Sequence, residues 1–230
     1  MRVQTIILAG GRGKRLRPHT DAIPKPLLPV GKHPILYHLL RGLERSGIRE
    51  MTLAVGYRAD VIEGYFGDGS AFGLQVRYAH ETKPMGTAGP LRAAWDGRST
   101  VLALNGDLLT DFDYRRIFEV HAREAAALTA GIVDHRVHVR FGTVEREGAR
   151  LRAVREKPDI PVEILAGIYV ISPEAMDRIP TDAPSDVPQL IAALLDGGHP
   201  VAACPLEALW IDVGIEEELV RARELAREWD

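Results

Sequence analysis

The apolar residues in the first half of the chain form short runs and helical stripes that alternate. Residues 3–9 are a nearly continuous, β-branched apolar run that ends at two glycines, which is typical of a strand buried on both faces of a parallel sheet. In residues 34–45, leucine and isoleucine recur at helical spacing between Pro34 at the start and Gly47 after the end. The order strand, helix, strand predicts an α/β sandwich with a mainly parallel sheet.

The same apolar periodicity predicts the remaining strands and helices of the chain. Further strands are predicted at residues 51–55, 74–79 and 100–104, and helices at 60–66, 86–95 and 114–127. Beyond Leu128 strand-like runs follow one another with few helical residues between them, which favours antiparallel strands; they lie at 128–133, 142–146, 151–155 and 164–171. Helices are predicted at 173–179, 187–196 and 215–229, the last with Leu219, Leu225 and Trp229 on one face. We find no repeat or linker, and expect one domain over residues 1–230.

Composition narrows the class of protein. Of the 230 residues, 46% are hydrophobic and 27% are charged, as in an ordinary globular protein. The net charge of −3 argues against sequence-independent binding of nucleic acid. Cys204 is the only cysteine, so an internal disulfide and a cysteine-based zinc cluster are excluded. The apolar N-terminal run is too short for a signal peptide or a membrane span, and we therefore expect a cytoplasmic protein without membrane attachment.

A glycine-rich, basic segment directly follows the first predicted strand. It consists of Gly10, Gly11, Arg12, Gly13, Lys14 and Arg15. Glycines let backbone N–H groups approach a phosphate closely, and the cations neutralise it, so a polyphosphate ligand is expected. The segment is not the common dinucleotide fingerprint, because Leu16 stands where the third glycine would be. A flexible basic surface loop is the alternative, which the position after a buried strand disfavours.

A lysine and two aspartates are further candidates for phosphate chemistry. Pro24 and Pro26 flank Lys25 and stiffen the chain around it, although a soluble proline-rich connector explains these residues equally well. Asp107 comes after a central strand, where open α/β sheets bind ligands, and could hold Mg²⁺ together with a second carboxylate such as Asp212. A turn at Asp107 and a helix cap at Asp212 are the alternatives. From the residues alone the pairing is a hypothesis.

Seven motifs, taken in order, resemble the sugar-1-phosphate nucleotidyltransferase family. They lie at residues 8–18, 24–30, 86–91, 105–107, 156–158, 166–169 and 210–214, so the resemblance covers nearly the whole chain. We expect no C-terminal β-helix domain after the last motif, and on that expectation the chain is most similar to the short, single-domain mannose- and heptose-1-phosphate guanylyltransferases. One departure is Lys14, where the family commonly has threonine, and it adds charge near the triphosphate.

The resemblance implies a Rossmann-like, three-layer α/β/α fold with a mainly parallel mixed sheet, and an enzyme that joins a nucleoside triphosphate to a sugar 1-phosphate and releases pyrophosphate. By this analogy the catalytic residues are Arg15, Lys25, Asp107 and Asp212, the two aspartates holding Mg²⁺. The implied nucleotide-binding residues are Leu8, Ala9, Gly10, Gly11, Gly13, Lys14, Arg15, Glu81, Gly86, Thr87 and Asp107. The implied sugar-phosphate residues are Asn105, Gly142, Glu156, Lys157 and Gly167. The expected partners are these two substrates, and a homo-oligomer is compatible with the family.

Glu81 bears on the choice of base. Relatives that use thymidine or uridine nucleotides tend to carry glutamine here, whereas a carboxylate only accepts hydrogen bonds and suits the two adjacent donors of guanine. GTP is therefore favoured, while CTP, UTP and dTTP, with another sugar or cyclitol 1-phosphate, stay open. A catalytically idle nucleotide-sugar sensor is the rival from another class. A dinucleotide-dependent dehydrogenase is a weaker third reading.

Overall fold

The computed structural model describes residues 2–226, and its strands alternate with helices over the first half of the chain. The strands are β1 (Val3–Ala9), β2 (Pro29–Val30), β3 (His33–Pro34), β4 (Glu50–Val55), β5 (Gln75–His80), β6 (Thr100–Asn105), β7 (Leu108–Thr110), β8 (Leu128–His138), β9 (Thr143–Glu147), β10 (Arg150–Arg155), β11 (Asp159–Ile171), β12 (Val201–Pro205) and β13 (Trp210–Asp212). The α-helices are α1 (His19–Ala22), α2 (Ile35–Arg45), α3 (Ala59–Phe66), α4 (Gly89–Ala94), α5 (Arg115–Arg123), α6 (Pro173–Met176), α7 (Val187–Asp196) and α8 (Glu216–Ala226).

One seven-stranded sheet forms the centre of the molecule, in the order β12-β8-β11-β6-β1-β4-β5. Neighbouring strands are parallel except at β11, which runs antiparallel to both β6 and β8. The predicted mixed, mainly parallel sheet is confirmed. Because β1 and β6 are adjacent and parallel, the glycine-rich segment after β1 and Asp107 after β6 lie at the same edge of the sheet.

Helices cover both faces of the sheet, as the alternating side chains of β1 illustrate. Ile6 and Ile7 point to opposite faces, and each is fully buried in a different apolar cluster. The cluster around Ile7 includes residues of α2, α3 and α5, whereas the cluster around Ile6 includes residues of α4, α6 and α7. The predicted three-layer α/β/α architecture follows from this division.

A third apolar cluster packs α8 against the short ribbon of β7 and β13. It contains Leu109 and Ile211 from the ribbon, Leu219 from α8, and Leu16 from the segment after β1. The cluster thus joins three parts of the chain that are far apart in sequence: the segment after β1, strand β7, and the neighbouring β13 and α8. The first and the last of these carry Arg15 and Asp212 of the predicted site.

Most predicted elements are confirmed, with differences at their ends. The predicted helix 114–127 stops at Arg123, because Ala125 adopts a left-handed conformation with φ of 44° and the Ala126 amide bonds back to His121. The predicted helices 86–95 and 173–179 are also shorter. The short strands β7, β12 and β13 were not predicted, since runs of three to five residues are hard to distinguish by periodicity. Trp229 of the last predicted helix lies outside the described residues.

Strands β8 and β11 are longer than predicted and continue as a two-stranded ribbon to residues 138 and 159. The β9–β10 hairpin is inserted between the ends of these two strands. Gly142 precedes the hairpin, and Glu156 and Lys157 follow it. Over the described part of the chain, no helix has the length and apolar character needed to cross a membrane.

Candidate active site

A cleft of about 890 Å³ opens at the carboxyl ends of β1, β4 and β6. Ligands of open α/β sheets bind at this edge, because the loops that leave the parallel strands converge there. All eleven residues predicted to bind nucleotide line the cleft, namely Leu8, Ala9, Gly10, Gly11, Gly13, Lys14, Arg15, Glu81, Gly86, Thr87 and Asp107. Lys25, predicted to be catalytic, and Asn105, predicted to bind the sugar phosphate, line it as well.

The glycine-rich segment turns sharply at Gly13, whose φ is +59°. A Cβ atom at this position would lie 2.9 Å from Cγ2 of Thr20, and the Thr20 hydroxyl donates a hydrogen bond of 2.9 Å to the Gly13 carbonyl oxygen. Only glycine fits both the conformation and the close contact. Beyond the turn Leu16 is buried in the third apolar cluster, while Lys14 and Arg15 stay exposed. The segment therefore combines a turn anchored at Gly13 and Leu16 with exposed cationic side chains at Lys14 and Arg15.

Glu81 lies against the backbone of Gly10 on the other side of the cleft. A Cβ atom at Gly10 would lie 2.7 Å from Glu81 Oε2, so a side chain at residue 10 would displace the carboxylate. The other oxygen, Oε1, accepts a hydrogen bond of 2.9 Å from the Met85 amide. Glu81 therefore faces the cleft with one carboxylate oxygen engaged by its own loop.

Asp107 and Asp212 come together because β7 and β13 pair. Leu108 lies opposite Asp212 in this antiparallel ribbon, and the Val213 amide donates a hydrogen bond of 3.0 Å to the Asp107 carbonyl oxygen. Lys25, only 8% exposed, donates a hydrogen bond to Asp107 Oδ2, and its Nζ lies 3.6 Å from Asp212 Oδ1. The predicted positioned lysine thus lies beside both predicted carboxylates.

The electrostatics of this cluster are unbalanced. Burial and the nearby charge of Asp107 raise the pKa of Asp212, while Lys25 and Arg15 act in the opposite direction. Among the described residues, Asp107 Oδ1 and Asp212 Oδ1 are buried without a hydrogen-bond donor. Two unsatisfied carboxylate oxygens are the donor set that Mg²⁺ prefers, so the residues fit this ion. Within residues 2–226 no group of three or more His, Cys, Asp or Glu side chains is placed to hold a metal, so phosphate and water oxygens would complete the shell.

Arg15 connects the basic loop to the segment that follows Asp212. Its Nη2 atom would lie 3.3 Å from a Cβ placed at Gly214, so the guanidinium packs closely over this glycine. The Gly214 amide donates a hydrogen bond of 3.1 Å to Glu218 Oε2 and one of 2.7 Å to the backbone carbonyl of Asp212. Arg15, Lys25, Asp107 and Asp212 therefore form one neighbourhood.

The predicted sugar-phosphate residues fall into two groups. Asn105 lines the cleft, and its Nδ2 would lie 2.5 Å from a Cβ at Gly167, which has φ of +71°. Gly142 and Glu156 lie together, since a Cβ at Gly142 would be 3.1 Å from Glu156 Oε2. Gly142, Glu156 and Lys157 are exposed and do not line the cleft. The second group therefore lies outside the cleft.

Several residues of the cleft were not predicted from the sequence, and Tyr57 and Lys83 are the two with side chains suited to a charged ligand. Tyr57 lies just after β4, and its ring is 5.7 Å from the Arg12 guanidinium carbon, within the range of a cation–π contact. Lys83 lines the cleft two residues after Glu81. Tyr57 could have been predicted from its position after a parallel strand, where such sheets bind ligands. Lys83 is an exposed lysine in a loop, and nothing in the sequence distinguishes it from other surface lysines.

Comparison with known proteins identifies what the chain is similar to. The family model described as nucleotidyl transferase matches residues 4–228. A mannose-1-phosphate guanylyltransferase of Mycobacterium tuberculosis is 36% identical over 226 residues, covering 95% of this chain and 63% of that protein. A UTP–glucose-1-phosphate uridylyltransferase of Synechocystis is 31% identical, covering 92% of this chain and 60% of that protein. HddC from Yersinia pseudotuberculosis, in a crystal structure complexed with GMP-PN, superposes with a TM-score of 0.74 at 26% identity and covers 98% of this chain and 99% of its own. The chain spans less than two thirds of the curated relatives it matches.

Proposed function

The chain belongs to the nucleotidyl transferase family, and on this premise we propose that it transfers a nucleoside monophosphate from GTP to a sugar 1-phosphate of the mannose or heptose type, releasing pyrophosphate. The observation that carries the proposal is the juxtaposition, in one cleft, of a glycine-rich basic loop with the Asp107–Lys25–Asp212 cluster. A basic loop alone would suit any anion. The acidic pair beside it suits a metal-bound polyphosphate.

Charge is the main physical demand of this reaction. An oxygen of the sugar phosphate attacks the α-phosphorus of the triphosphate, the bond from that phosphorus to the β-phosphate oxygen breaks, and pyrophosphate leaves with the electron pair. Two polyanions must therefore meet, and cations must offset their repulsion. Arg12, Lys14, Arg15 and Lys25 line the cleft and supply positive charge along it. No side chain needs to form a covalent intermediate.

We assign Mg²⁺ to Asp107 and Asp212, whose buried Oδ1 atoms are without donors among the described residues. When bound, the ion would neutralise phosphate charge and orient the triphosphate for in-line displacement. Lys25 offsets the mutual repulsion of the two carboxylates before the substrates enter, because its ammonium lies beside both. It then provides a buried cation next to the reacting phosphates.

Glu81 is the residue to which we assign the choice of GTP. Its carboxylate lines the cleft and lies against Gly10. Guanine presents a ring N–H and an exocyclic amine side by side, and a carboxylate can accept from both. The guanylyltransferases among the relatives, such as that of Mycobacterium tuberculosis, and the structural neighbour complexed with GMP-PN support this choice. The uridylyltransferase of similar identity supports UTP as the second candidate.

The sugar phosphate is assigned to the side of the cleft where Asn105 and Gly167 meet. The side-chain amide of Asn105 can donate hydrogen bonds to sugar hydroxyls and accept them. Because Gly167 has no side chain, it leaves room for this amide. Glu156 and Lys157 follow the inserted hairpin and supply an acceptor for hydroxyls and a cation for the phosphate. Their exposed position suits contacts that form when the sugar phosphate binds.

The proposal is tested by removing one metal ligand. Asp107→Ala is expected to lower Mg²⁺-dependent pyrophosphate release from GTP and mannose 1-phosphate by at least about 100-fold, because several kcal/mol of charge stabilisation depend on the metal. Asp134→Ala, which removes an exposed carboxylate outside the cleft, is the matched control and should leave the rate unchanged. Retained turnover in Asp107→Ala would remove the metal assignment. A wild-type protein that binds GTP without any turnover would support the idle sensor.

A further inference from the structure

The loop between β5 and α4, residues 81–88, is held from outside by a distant segment of the chain. The Ser185 amide donates a hydrogen bond of 3.0 Å to the Met85 carbonyl oxygen, and the Ala88 amide donates one of 2.8 Å to the Ser185 carbonyl oxygen. Residue 185 directly precedes the N-terminal cap of α7. The loop that carries Glu81 is therefore docked on the start of α7.

Thr87 and Asp186 form the centre of this contact. The Thr87 amide donates a hydrogen bond of 2.8 Å to Asp186 Oδ1, and the Thr87 hydroxyl donates to the same oxygen at 3.2 Å. In return the Val187 amide, in the first turn of α7, donates a hydrogen bond of 2.9 Å to the Thr87 hydroxyl oxygen. The backbone amide and the side-chain hydroxyl of Thr87 are thus both hydrogen-bonded to the start of α7 and are not directed into the cleft.

Asp186 holds the loop without giving up its role in the helix. It caps α7 through a capping box with Gln189, whose Oε1 accepts a hydrogen bond of 2.9 Å from the Asp186 amide. The first turn of α7 is therefore satisfied by its own cap and by Thr87 together. A change at Thr87 would loosen the loop while the helix keeps its capping box.

The contact reaches Glu81 in two steps. Ser185 fixes the carbonyl of Met85, and the amide of Met85 donates to Glu81 Oε1. Gly86 lies between Met85 and Thr87 with φ of +76°, and a Cβ atom there would be 2.4 Å from the Ser185 carbonyl oxygen. The backbone at Gly86 is thus packed closely against the cap of α7, one residue from the amide that bonds to Glu81.

We propose that Thr87 and Asp186 act as a clamp that positions Glu81 for recognition of the base, so that Thr87 is a positioning residue rather than a direct nucleotide ligand. This inference rests on the proposed function, because it deepens the account of how the same cleft selects its triphosphate. Asp186 then determines specificity without touching the nucleotide.

Thr87→Val tests the clamp, since it removes the hydroxyl and keeps the shape and the backbone amide. Thr87→Ser, which keeps the hydroxyl, is the matched control. For Thr87→Val we expect KM for GTP to rise about three- to tenfold, the size expected for one or two lost hydrogen bonds, with a smaller fall in kcat. The ratio of kcat/KM for GTP to that for UTP should narrow by a similar factor. Thr87→Ser should recover most of what Thr87→Val loses, both in KM for GTP and in the ratio of kcat/KM for GTP to that for UTP.

Amide hydrogen exchange of residues 81–88, measured without substrates, provides a readout that does not depend on turnover. Thr87→Val should exchange faster than the wild type in this loop, and Thr87→Ser should not. Unchanged exchange, or equal losses of kcat/KM with GTP and UTP, would overturn the clamp. A wild type that binds GTP without turnover would refute the proposed function alone, and the exchange rates together with GTP affinity of the variants would then decide about the clamp.

Discussion

Single residues in the cleft are placed for charge rather than for stability. Asp107 and Asp212 face the same buried space, with Lys25 as the cation beside both, and one oxygen of each carboxylate finds no donor among the described residues. A buried carboxylate without a full set of partners costs stability. The arrangement is explained if a divalent ion and phosphates complete it during the reaction.

Asp212→Asn tests this cost through the dependence of stability on pH. Burial and the charge of Asp107 raise the pKa of Asp212, so the protonated form is favoured in the folded state. Its contribution to stability is fully present below the unfolded-state pKa and is lost as the pH rises through the folded-state pKa. At neutral pH we therefore expect Asp212→Asn to raise the Tm of the metal-free protein, by on the order of 2 °C, and to abolish pyrophosphate release.

The gain in Tm should shrink as the pH is lowered toward the ordinary carboxyl range, where wild-type Asp212 is itself neutral. The effect is expected to be modest because the Asp212 side chain is 37% exposed, and solvent screens it in part. Asp134→Asn on the exposed ribbon provides the control. A lower Tm at neutral pH for Asp212→Asn would mean that its contacts with Lys25 and Arg15 outweigh burial.

Glu81→Gln tests the reading of the base. Glutamine keeps an acceptor for the Met85 amide but places a donor where guanine also presents donors. We expect kcat/KM for GTP to fall about 10- to 100-fold, the range of one mismatched polar pair, and that for UTP to be preserved or to rise. Steady-state kinetics with both triphosphates measure the ratio, with the exposed Glu174→Gln on α6 as control. An unchanged preference for GTP would assign the base to other residues.

At the level of elements, local patterns predicted what depends on neighbours in sequence. The apolar run of β1 and the glycines after it predicted both the central strand and the loop of the cleft, because burial on both faces and a glycine-rich basic turn each leave a local signal. The pairing of β7 with β13 left no local signal in the sequence. Each strand has only three residues, and the proximity of Asp107 and Asp212 to the same Lys25 depends on tertiary packing of this ribbon against α8. The residues alone suggested that pair only as a hypothesis, and the family resemblance then supported it by analogy.

Docking of the 81–88 loop on α7 was not predictable for the same reason. Gly86 is the element-scale test, since it combines a left-handed φ of +76° with a potential Cβ contact of 2.4 Å to Ser185. Gly97 has φ of +80° and no atom within 4 Å of a Cβ, so Gly97→Ala reports backbone strain alone. We expect Gly97→Ala to cost about 1–2 kcal/mol, and Gly86→Ala to lower Tm further and to weaken GTP binding.

Thermal unfolding and GTP titration of the two alanine variants separate these contributions. Gly97→Ala, which introduces backbone strain without a steric contact, should lower Tm and leave the affinity for GTP near that of the wild type. If both variants lose the same stability and neither loses affinity, the loop tolerates displacement from α7, and its docking does not matter for the nucleotide.

The whole molecule combines a net charge of −3 with a cleft lined by several cations. Positive charge is therefore local to the site, which suits two small polyanionic substrates better than a long nucleic acid. The three-layer fold brings the basic loop after β1, the aspartate after β6 and the aspartate of β13 to one edge of the sheet. Their convergence at that edge is what the proposed reaction requires.

The proposed guanylyl transfer is tested most directly by measuring pyrophosphate release by the wild-type protein with Mg²⁺. GTP, ATP, UTP, CTP and dTTP are each combined with mannose, heptose, glucose and N-acetylglucosamine 1-phosphates. We predict turnover that requires Mg²⁺, favours GTP and is highest with mannose or heptose 1-phosphate. Turnover confined to UTP, dTTP or CTP would contradict the assignment of Glu81, and no turnover with any pair would contradict the proposed activity.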